Sequence, residues 1–523
     1  MNLKMLLLPT LILGSLAVQG KVEVASVFGN NMVLQQGRKV PVWGKALPNE
    51  KITVRFDGQT VSTTTAKNGK WMLYLAPMKA NAAGQTLEVL GKTEKIRCNN
   101  ILIGEVWLCS GQSNMHVPMW SKTPNYRAAN GDKDVKAGVN PMIRIVSLEK
   151  RGIAKLPIEQ QHIVWNPLNE KTGLPFSAVA FYFGQALYKQ LKVPIGLVAS
   201  NWPGTRIEPW TPQEGFNSVP ELKQLAFEGN AKIPGTKEYK EQNAKAIQLY
   251  ENWLKEYKKA VAAGKLPPLP PEYPAELRYL RGNLQPSSIY NKMIHPLVPF
   301  AFRGVIWYQG CSNIYNGYDG PMYAYKMQAL LNGWREVFKQ PDMPFYFVQL
   351  APFRYGKKDP YKLPVTWEAQ HSFAQKNRDT QVKMAVINDV GDYDDIHPRD
   401  KKTVGNRLAL LALRYTYNKK EIKADSPELK KWQIKGNQVI LDFDFVEKWI
   451  AKGEVKHFEV AGKDQIWQPA TMKVQGKTLL ISSEKVNAPV MLRYMWHHTV
   501  TGNLFNEAGL PLGTFRCGTI PVK

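Results

Sequence analysis

The hydrophobic pattern changes twice along the chain. Before residue 100, apolar runs of three to five residues are separated by turn dipeptides such as Asp57-Gly58 and Asn68-Gly69. This spacing is typical of antiparallel strands joined by tight turns. The predicted strands are 32–34, 40–43, 52–56, 61–64, 71–75 and 87–90. Residues 21–100 are therefore predicted to form a small N-terminal β-sandwich domain.

Between residues 101 and 424 apolar strand-like segments alternate with segments of helical period. The predicted strands are 105–108, 195–200, 305–308, 345–350 and 384–388, and the predicted helices are 176–190, 323–338, 367–375 and 403–415. Such alternation predicts the α/β class, with a parallel sheet covered by helices on both faces. Parallel sheets of this kind bind ligands at the carboxyl ends of their strands.

A helical and proline-rich insertion is predicted at about residues 214–285. Apolar residues recur there at three-four spacing, which indicates an amphipathic helix: Ile247, Tyr250, Leu254, Tyr257 and Val261. A stiff connector follows at 266–271. We interpret the insertion as an arm packed beside the sheet, with a substrate lid as the alternative. Residues 425–523 are β-like again, with predicted strands at 439–443, 478–482 and 490–495, and form a C-terminal β domain.

The first twenty residues predict a secretory signal peptide. Lys4 precedes the apolar stretch from Met5 to Val18, and small residues allow cleavage after Ala17 or Gly20. The mature protein is expected to be periplasmic or secreted, without an integral membrane segment. The formal net charge of +26 is dispersed rather than gathered in blocks, and no nucleic-acid motif is present, which disfavours nucleic acid as a partner. The four cysteines fit neither a disulfide scaffold nor a zinc site, and their pairing stays open, as does the oligomeric state.

Two motifs contain the groups of a serine hydrolase. Gly111-Gln112-Ser113-Asn114-Met115 follows a buried apolar run, which predicts that Ser113 lies at the end of a strand. His397 lies in Asp394-Asp395-Ile396-His397-Pro398, with two carboxylates close enough to orient its ring. A serine becomes a nucleophile when a base takes its proton, and a carboxylate holds that base in the correct tautomer.

Two further loops supply candidate donors for an oxyanion. Gly204, within 201–205, allows a backbone N–H to approach a substrate closely, and Asn313, within 309–313, offers a side-chain amide. All four groups follow predicted strands. An esterase of the SGNH class needs this set of groups.

Four motifs resemble the four motif blocks of the sialate O-acetylesterase family: 111–115, 204–210, 307–310 and 395–398. Segments at both ends also resemble the family, namely 32–35 with 41–44, and 493–494 with 503–506 and 509–511. The resemblance implies an SGNH-like α/β/α catalytic domain flanked by β domains. It also implies removal of acetyl groups from sialic acid hydroxyls, without a metal or other cofactor.

The resemblance implies roles for individual residues. Ser113 is the nucleophile, His397 is the base, and the Ser113 N–H, Gly204 and Asn313 are the oxyanion donors. The Asp-Ile-His-Pro pattern indicates Asp395 as the acid, whereas the general Asp-x-x-His spacing indicates Asp394, and both stay open. The predicted substrate-binding residues are Gln112, Arg206, Gln309 and Arg399, and the two arginines are chosen because guanidinium pairs bidentately with the carboxylate of a sialic acid.

The chain departs from the family at two positions. Cys311 replaces a glutamate, and Pro203 replaces the first glycine of a Gly-Gly-Thr motif. Neither change removes a proposed catalytic group, and we interpret Cys311 as a structural substitution rather than a nucleophile. The predicted function is a serine esterase that deacetylates sialic acids or related sugars through an acetyl-enzyme. The alternatives are an acetylxylan-type or other polysaccharide esterase and, from another class, a non-catalytic glycan-binding protein on a hydrolase core.

Overall fold

The computed structural model describes residues 21–148, 151–274, 277–278, 284–315, 317–356 and 358–518. The predicted signal peptide at 1–20 lies outside these residues. The N-terminal region consists of β1 (Glu23–Val24), β2 (Val33–Gln35), β3 (Val40–Lys45), β4 (Lys51–Phe56), β5 (Gln59–Thr64), β6 (Lys70–Leu75), β7 (Asn81–Leu90) and the start of β8 (Lys95–Gly111). The alternating burial of β4 and β6 gives each strand one face in a β-rich core.

Strand β8 connects the N-terminal region to the central sheet. Its first half pairs with β7 and β2, and its second half pairs in parallel with two strands of the central sheet. Every residue from 101 to 111 is buried. The predicted strand 105–108 is therefore only the middle of a much longer one, and the predicted domain boundary at residue 100 falls inside it.

The central sheet has the order β10-β9-β11-β8-β12-β13-β14, and only the β10–β9 pair is antiparallel. Its strands after β8 are β9 (Asn140–Ser147), β10 (Asn166–Leu168), β11 (Ile195–Asn201), β12 (Gly304–Tyr308), β13 (Phe345–Val348) and β14 (Val382–Ala385). The helices are α1 (Ser113–His116), α2 (Gly131–Ala137), α3 (Glu170–Gly173), α4 (Ala178–Leu191), α5 (Gln213–Asn217), α6 (Lys223–Asn230), α7 (Lys237–Ala262), α8 (Cys311–Tyr315), α9 (Met322–Val337), α10 (Lys362–Lys376) and α11 (Lys401–Leu411).

Helices cover both faces of the central sheet. Because successive side chains of a strand point to opposite faces, Trp107 of β8 packs in one core with α4 and α11, while Leu108 packs in another with α9. This confirms the predicted parallel α/β sheet. None of the described helices is both long and apolar enough to cross a membrane.

The C-terminal region is β-rich, as predicted. Its strands are β15 (Glu428–Lys435), β16 (Gln438–Asp444), β17 (Ile450–Ala451), β18 (Phe458–Ala461), β19 (Gln468–Gln475), β20 (Thr478–Ser482), β21 (Met491–Tyr494), β22 (Leu504–Phe505) and β23 (Phe515–Gly518). Seven of them form one sheet in the order β15-β16-β20-β19-β18-β21-β23. All four cysteines are buried and free.

The predicted packing beside the sheet is not found for the long helix of the insertion, whereas the segment before that helix packs on α9 through Phe216 and Val219. Helix α7 exists, but Ala246 is its only residue buried in the described structure, and Ile247 is 59% and Val261 55% exposed. The helix packs instead on its own proline-rich connector, where Tyr250 donates to the Pro271 carbonyl at 3.1 Å and Trp253 to the Pro268 carbonyl at 3.0 Å. The helical period identifies an apolar face but does not identify its partner.

Candidate active site

Ser113 lies at the carboxyl end of β8, at the first position of α1. Gly111, two residues before Ser113, has φ +143°, and a Cβ at this position would lie 2.2 Å from the Tyr308 carbonyl oxygen of β12. Only glycine allows this turn and this close approach. Ser113 is 7% exposed, and its hydroxyl has no hydrogen-bond partner among the described residues. The Ser113 hydroxyl therefore lies at the carboxyl end of β8 and is available to react.

His397 lies in the loop between β14 and α11, beside Asp395. Its Nδ1 is 3.5 Å from Asp395 Oδ1, and the same oxygen accepts the His397 backbone N–H at 2.9 Å. The Tyr126 ring packs perpendicular to the imidazole, with ring centroids 5.0 Å apart. Burial and the Lys401 charge lower the pKa of His397 to about 4, although Asp395 opposes the shift. The imidazole is therefore neutral at pH 7, as a general base must be.

Hydrogen bonds join the Ser113 loop to the His397 loop. Asn114 Nδ2 donates to the Ile396 carbonyl at 2.9 Å, and Lys401 Nζ donates to Asn114 Oδ1 at 2.6 Å. The neighbours of the serine are thus bound to the neighbours of the histidine. No hydrogen bond joins the Ser113 hydroxyl to the His397 ring in the described chain; such catalytic contacts often tighten only when substrate is bound.

The structure distinguishes the two candidate acids. Asp394 pairs with Arg354 at 2.5 Å, and its side chain is 76% exposed. Asp395 is the carboxylate next to Nδ1. The role predicted for Asp394 from the Asp-x-x-His spacing is therefore not supported, because its carboxylate is engaged at the surface.

Gly204 remains free to act as an oxyanion donor. It has φ +73°, and no heavy atom lies within 4 Å of the position a Cβ would take. Its N–H has no acceptor in the part of the chain that the structure describes. Trp202 N–H donates to the Gly111 carbonyl at 3.1 Å, which holds this loop beside Ser113. The Ser113 N–H, at a helix N-terminus, also lacks an intrahelical acceptor.

Asn313 does not fit its predicted role. Its Nδ2 donates to Glu208 at 3.0 Å and to Asp319 at 2.6 Å, which uses both amide protons. Its Oδ1 accepts from Ile207 N–H at 3.1 Å and from Gln309 at 2.7 Å. We therefore correct the prediction: the Asn313 side chain holds the loops together and has no proton left for an oxyanion.

The two predicted substrate-binding glutamines are also structural. Gln112 Oε1 accepts from the N–H groups of Gly310 and Ser312 at 3.0 and 3.3 Å. Gln309 donates to the Thr205 carbonyl at 3.0 Å as well as to Asn313. Both side chains are almost fully buried. They connect the strand-end loops to each other instead of facing a substrate.

Arg206 belongs to a buried ion cluster. It pairs with Glu208 at 2.6 Å and with Asp319 at 2.9 Å, and Lys326 pairs with the same two carboxylates at 2.7 and 2.8 Å. Burial alone would raise the pKa of Glu208, but Arg206 and Lys326 lower it to about 2. The prediction that Arg206 binds substrate is therefore not supported. Arg399 differs, because its side chain is exposed and has no partner among the described residues.

Sequence reasoning missed Lys401, which lies beneath the site. The Lys401 side chain is fully buried, and its Nζ lies over the Tyr308 ring, 5.6 Å from the ring centroid. Burial lowers the pKa of Lys401 to about 7. Cys311 lies close by, with its sulfur 4.0 Å from Asn114 Nδ2. Burial raises the pKa of the Cys311 thiol, which opposes a nucleophilic role for it. The only sequence signal for Lys401 is its position four residues after His397.

Comparison with known proteins identifies the family. A family model described as carbohydrate esterase, sialic acid-specific acetylesterase matches residues 277–414. A sialate O-acetylesterase of Pongo abelii is 30% identical over 90% of this chain and 87% of its own length. The chain belongs to the sialate O-acetylesterase family. The Homo sapiens sialate O-acetylesterase is 29% identical with the same coverage.

A solved structure supports the same assignment. The crystal structure of a carbohydrate acetylesterase from Xanthomonas citri matches 96% of this chain and 100% of its own, with TM-score 0.77 and 28% identity. This sialate O-acetylesterase family member is an esterase, a carboxylic ester hydrolase, built from a mixed α/β sheet and β-rich regions. These comparisons support an enzyme and not the alternative of a non-catalytic glycan-binding protein.

Proposed function

We propose that this enzyme removes O-acetyl groups from sialic acids or related acetylated sugars by nucleophilic catalysis on an SGNH-like framework. Ser113 Oγ bonds to the acetyl carbon while His397 accepts its proton. The tetrahedral intermediate collapses, the sugar oxygen leaves and takes the proton from His397, and Ser113 carries the acetyl group. His397 then activates a water that releases acetate and restores Ser113. Asp395 orients the imidazole, and the N–H groups of Gly204 and Ser113 receive the oxyanion.

One observation carries this proposal. The serine loop and the histidine loop are more than 280 residues apart in the sequence, and Asn114 joins them through hydrogen bonds with the Ile396 carbonyl and with Lys401. Covalent labelling tests it directly. A fluorophosphonate probe, which reacts with activated serines, is expected to label the Ser113 peptide; an unlabelled Ser113 in hydrolytically active enzyme would refute the nucleophile.

Arg399 is the predicted cation that remains available for a sialic acid carboxylate, since Arg206 is held in the ion cluster. It lies two residues after His397 in the sequence, and its side chain is exposed. A guanidinium pairs well with a carboxylate, whereas a neutral acetylated xylan has no such group. The proposed order of preference is therefore acetylated sialate first and neutral acetylated glycan second.

Replacement of Arg399 by glutamine tests this substrate preference. We expect KM for 9-O-acetylated sialic acid to rise by about tenfold, the effect of one exposed charge-assisted contact, while KM for acetylated xylan stays unchanged. Lys402→Gln removes a charge three residues further along, from a side chain that is 60% exposed, and serves as the control. Equal kinetics of the wild type and Arg399→Gln on acetylated sialate would exclude the role.

The low pKa of His397 predicts an unusual pH profile. Only the neutral imidazole accepts the Ser113 proton, so kcat/KM rises with pH through the His397 pKa. Burial lowers that pKa from 6.5 to about 4, so the rising limb is expected near pH 4 and activity is already full at pH 6. Initial rates with 4-nitrophenyl acetate between pH 3.5 and 8 measure this limb, and circular dichroism at each pH controls for unfolding. A limb centred at pH 6.5 or above would contradict the prediction.

We also propose that the enzyme acts outside the cytoplasm, in the periplasm or after secretion. The support is the charged, then apolar, then small-residue order of the first twenty residues.

A further inference from the structure

A cleft of about 1000 Å³ lies between the C-terminal sheet and the start of α10. Strands β18 and β21 contribute Phe458 and Arg493, and the segment after β21 contributes Trp496 and His497, while Tyr361 lines it from the side of the catalytic domain. This volume is at the upper end of the range for ligand sites. It is therefore large enough for sugar units.

Arg493, which lines the cleft, lies over the ring of Tyr361, which also lines it, and over the neighbouring Trp467 ring. Tyr361 is 43% exposed, and the Arg493 guanidinium lies 5.3 Å from its ring centroid and 4.4 Å from that of Trp467. Glu459 holds Arg493 through two hydrogen bonds, of 2.7 and 3.0 Å. Since Arg493 is held by a carboxylate on one side and by ring faces on the other, the aromatic surface is preorganised.

The net charge of the cleft is low. Glu459 neutralises Arg493, and Lys456 pairs with Glu454 at 3.0 Å. Burial lowers the pKa values of His457 and His497, which keeps both rings neutral at pH 7. An anionic ligand would find no unpaired cation among the described lining residues. Hydroxyl groups, in contrast, match the carboxylate, imidazole and guanidinium edges.

The cleft adjoins the histidine loop. Thr499 and Val500 line it, and the next residue, Thr501, hydrogen bonds through its hydroxyl to Tyr393 at 2.6 Å. Tyr393 lies four residues before His397. Arg354, which pairs with Asp394, is close enough to His498 for its charge to lower the His498 pKa. The cleft and the histidine loop are thus linked through the Thr501–Tyr393 hydrogen bond.

We propose that this cleft is a binding site for neutral sugar units of a glycan whose acetylated residue occupies the catalytic site. The C–H groups on one face of a pyranose ring pack on the electron-rich face of an aromatic ring such as Tyr361, while the sugar hydroxyls bond to the polar edges. The inference rests on the proposed function for the catalytic end of the ligand. It extends the substrate from a single sugar to an oligomer.

Tyr361→Ala and His497→Ala test the cleft, with Tyr74→Ala as a matched control because Tyr74 is 52% exposed in the N-terminal region. We expect each cleft variant to raise KM for acetylated xylan two- to tenfold, the scale of one lost aromatic or hydrogen-bond contact. Values of kcat/KM for 4-nitrophenyl acetate, which carries no glycan, should match the wild type. Unchanged KM for acetylated xylan in both variants, or an equal loss on both substrates, would overturn the site.

Direct binding separates failure of the cleft from failure of the esterase assignment. In affinity gel electrophoresis, acetyl-free xylan is expected to retard the wild type and Tyr74→Ala, and to retard the two cleft variants less. This readout needs no ester hydrolysis, so it holds even if the catalytic proposal fails. Absence of retardation by xylan, or retardation by polysialic acid alone, would overturn the proposal of a neutral-glycan site.

Discussion

Ser113→Ala is expected to lower kcat for acetyl-ester hydrolysis by three orders of magnitude or more, as nucleophile removal does in other serine hydrolases. That loss corresponds to about 4 kcal/mol of transition-state stabilisation. The change deletes one oxygen that has no hydrogen-bond partner among the described residues, so it leaves no buried group unpaired and the fold should be kept. Turnover of 4-nitrophenyl acetate and of 9-O-acetylated sialic acid measures the loss, and thermal unfolding verifies the fold.

Cys311→Ala is the matched control for the nucleophile. Cys311 offers a thiol, a second type of nucleophile, in the loop at 309–313; it is 3% exposed, and burial raises the pKa of its thiol. We expect this variant to stay within about tenfold of wild-type kcat, because it loses packing but no reacting atom. The nucleophile assignment would fail if Ser113→Ala kept more than a tenth of wild-type activity, or if Cys311→Ala lost activity instead.

The sequence predicted the central sheet well where burial is uniform, and less well where polar groups are buried. Strands β11 and β12 are continuous apolar runs, and their predicted bounds agree with the structure within one residue. Strand β9 was missed, because Pro141 and Arg144 interrupt its apolar pattern. Arg144 is nonetheless 3% exposed, since its guanidinium donates to the Pro141 carbonyl at 2.7 Å and to Asn31 at 3.2 Å.

The functional motifs were found, but the partners of their polar side chains were not. The motif blocks correctly located the loops at the strand ends, because those residue types stand at fixed offsets from apolar runs. Asn313 and Arg206 share an ion cluster with Lys326, which lies on α9 and carries no motif of its own. A pattern in sequence shows which groups a loop contains. It does not show whether those groups face the substrate or another loop.

Asp395→Asn is expected to lower kcat by about 10²–10⁴, whereas Asp394→Asn should leave it within about twofold. In Asp395, one oxygen both accepts the His397 backbone N–H at 2.9 Å and faces Nδ1 at 3.5 Å. An asparagine that keeps the backbone bond loses the carboxylate charge that stabilises the imidazolium, and it holds the Nδ1–H tautomer less firmly. The loss is therefore expected in kcat, with little change in KM.

Asp394→Asn makes the same chemical change one residue away and breaks only an exposed pair with Arg354, with side chains 76% and 49% exposed. Exposed pairs of this kind contribute about 0–1 kcal/mol. The comparison of the two variants distinguishes Asp395 from Asp394 as the acid, because the Asp-x-x-His spacing predicts the larger loss of kcat in Asp394→Asn. Equal losses in both variants would instead indicate that the loop as a whole, held by Asp392 through the N–H groups of residues 394 and 395, positions the imidazole.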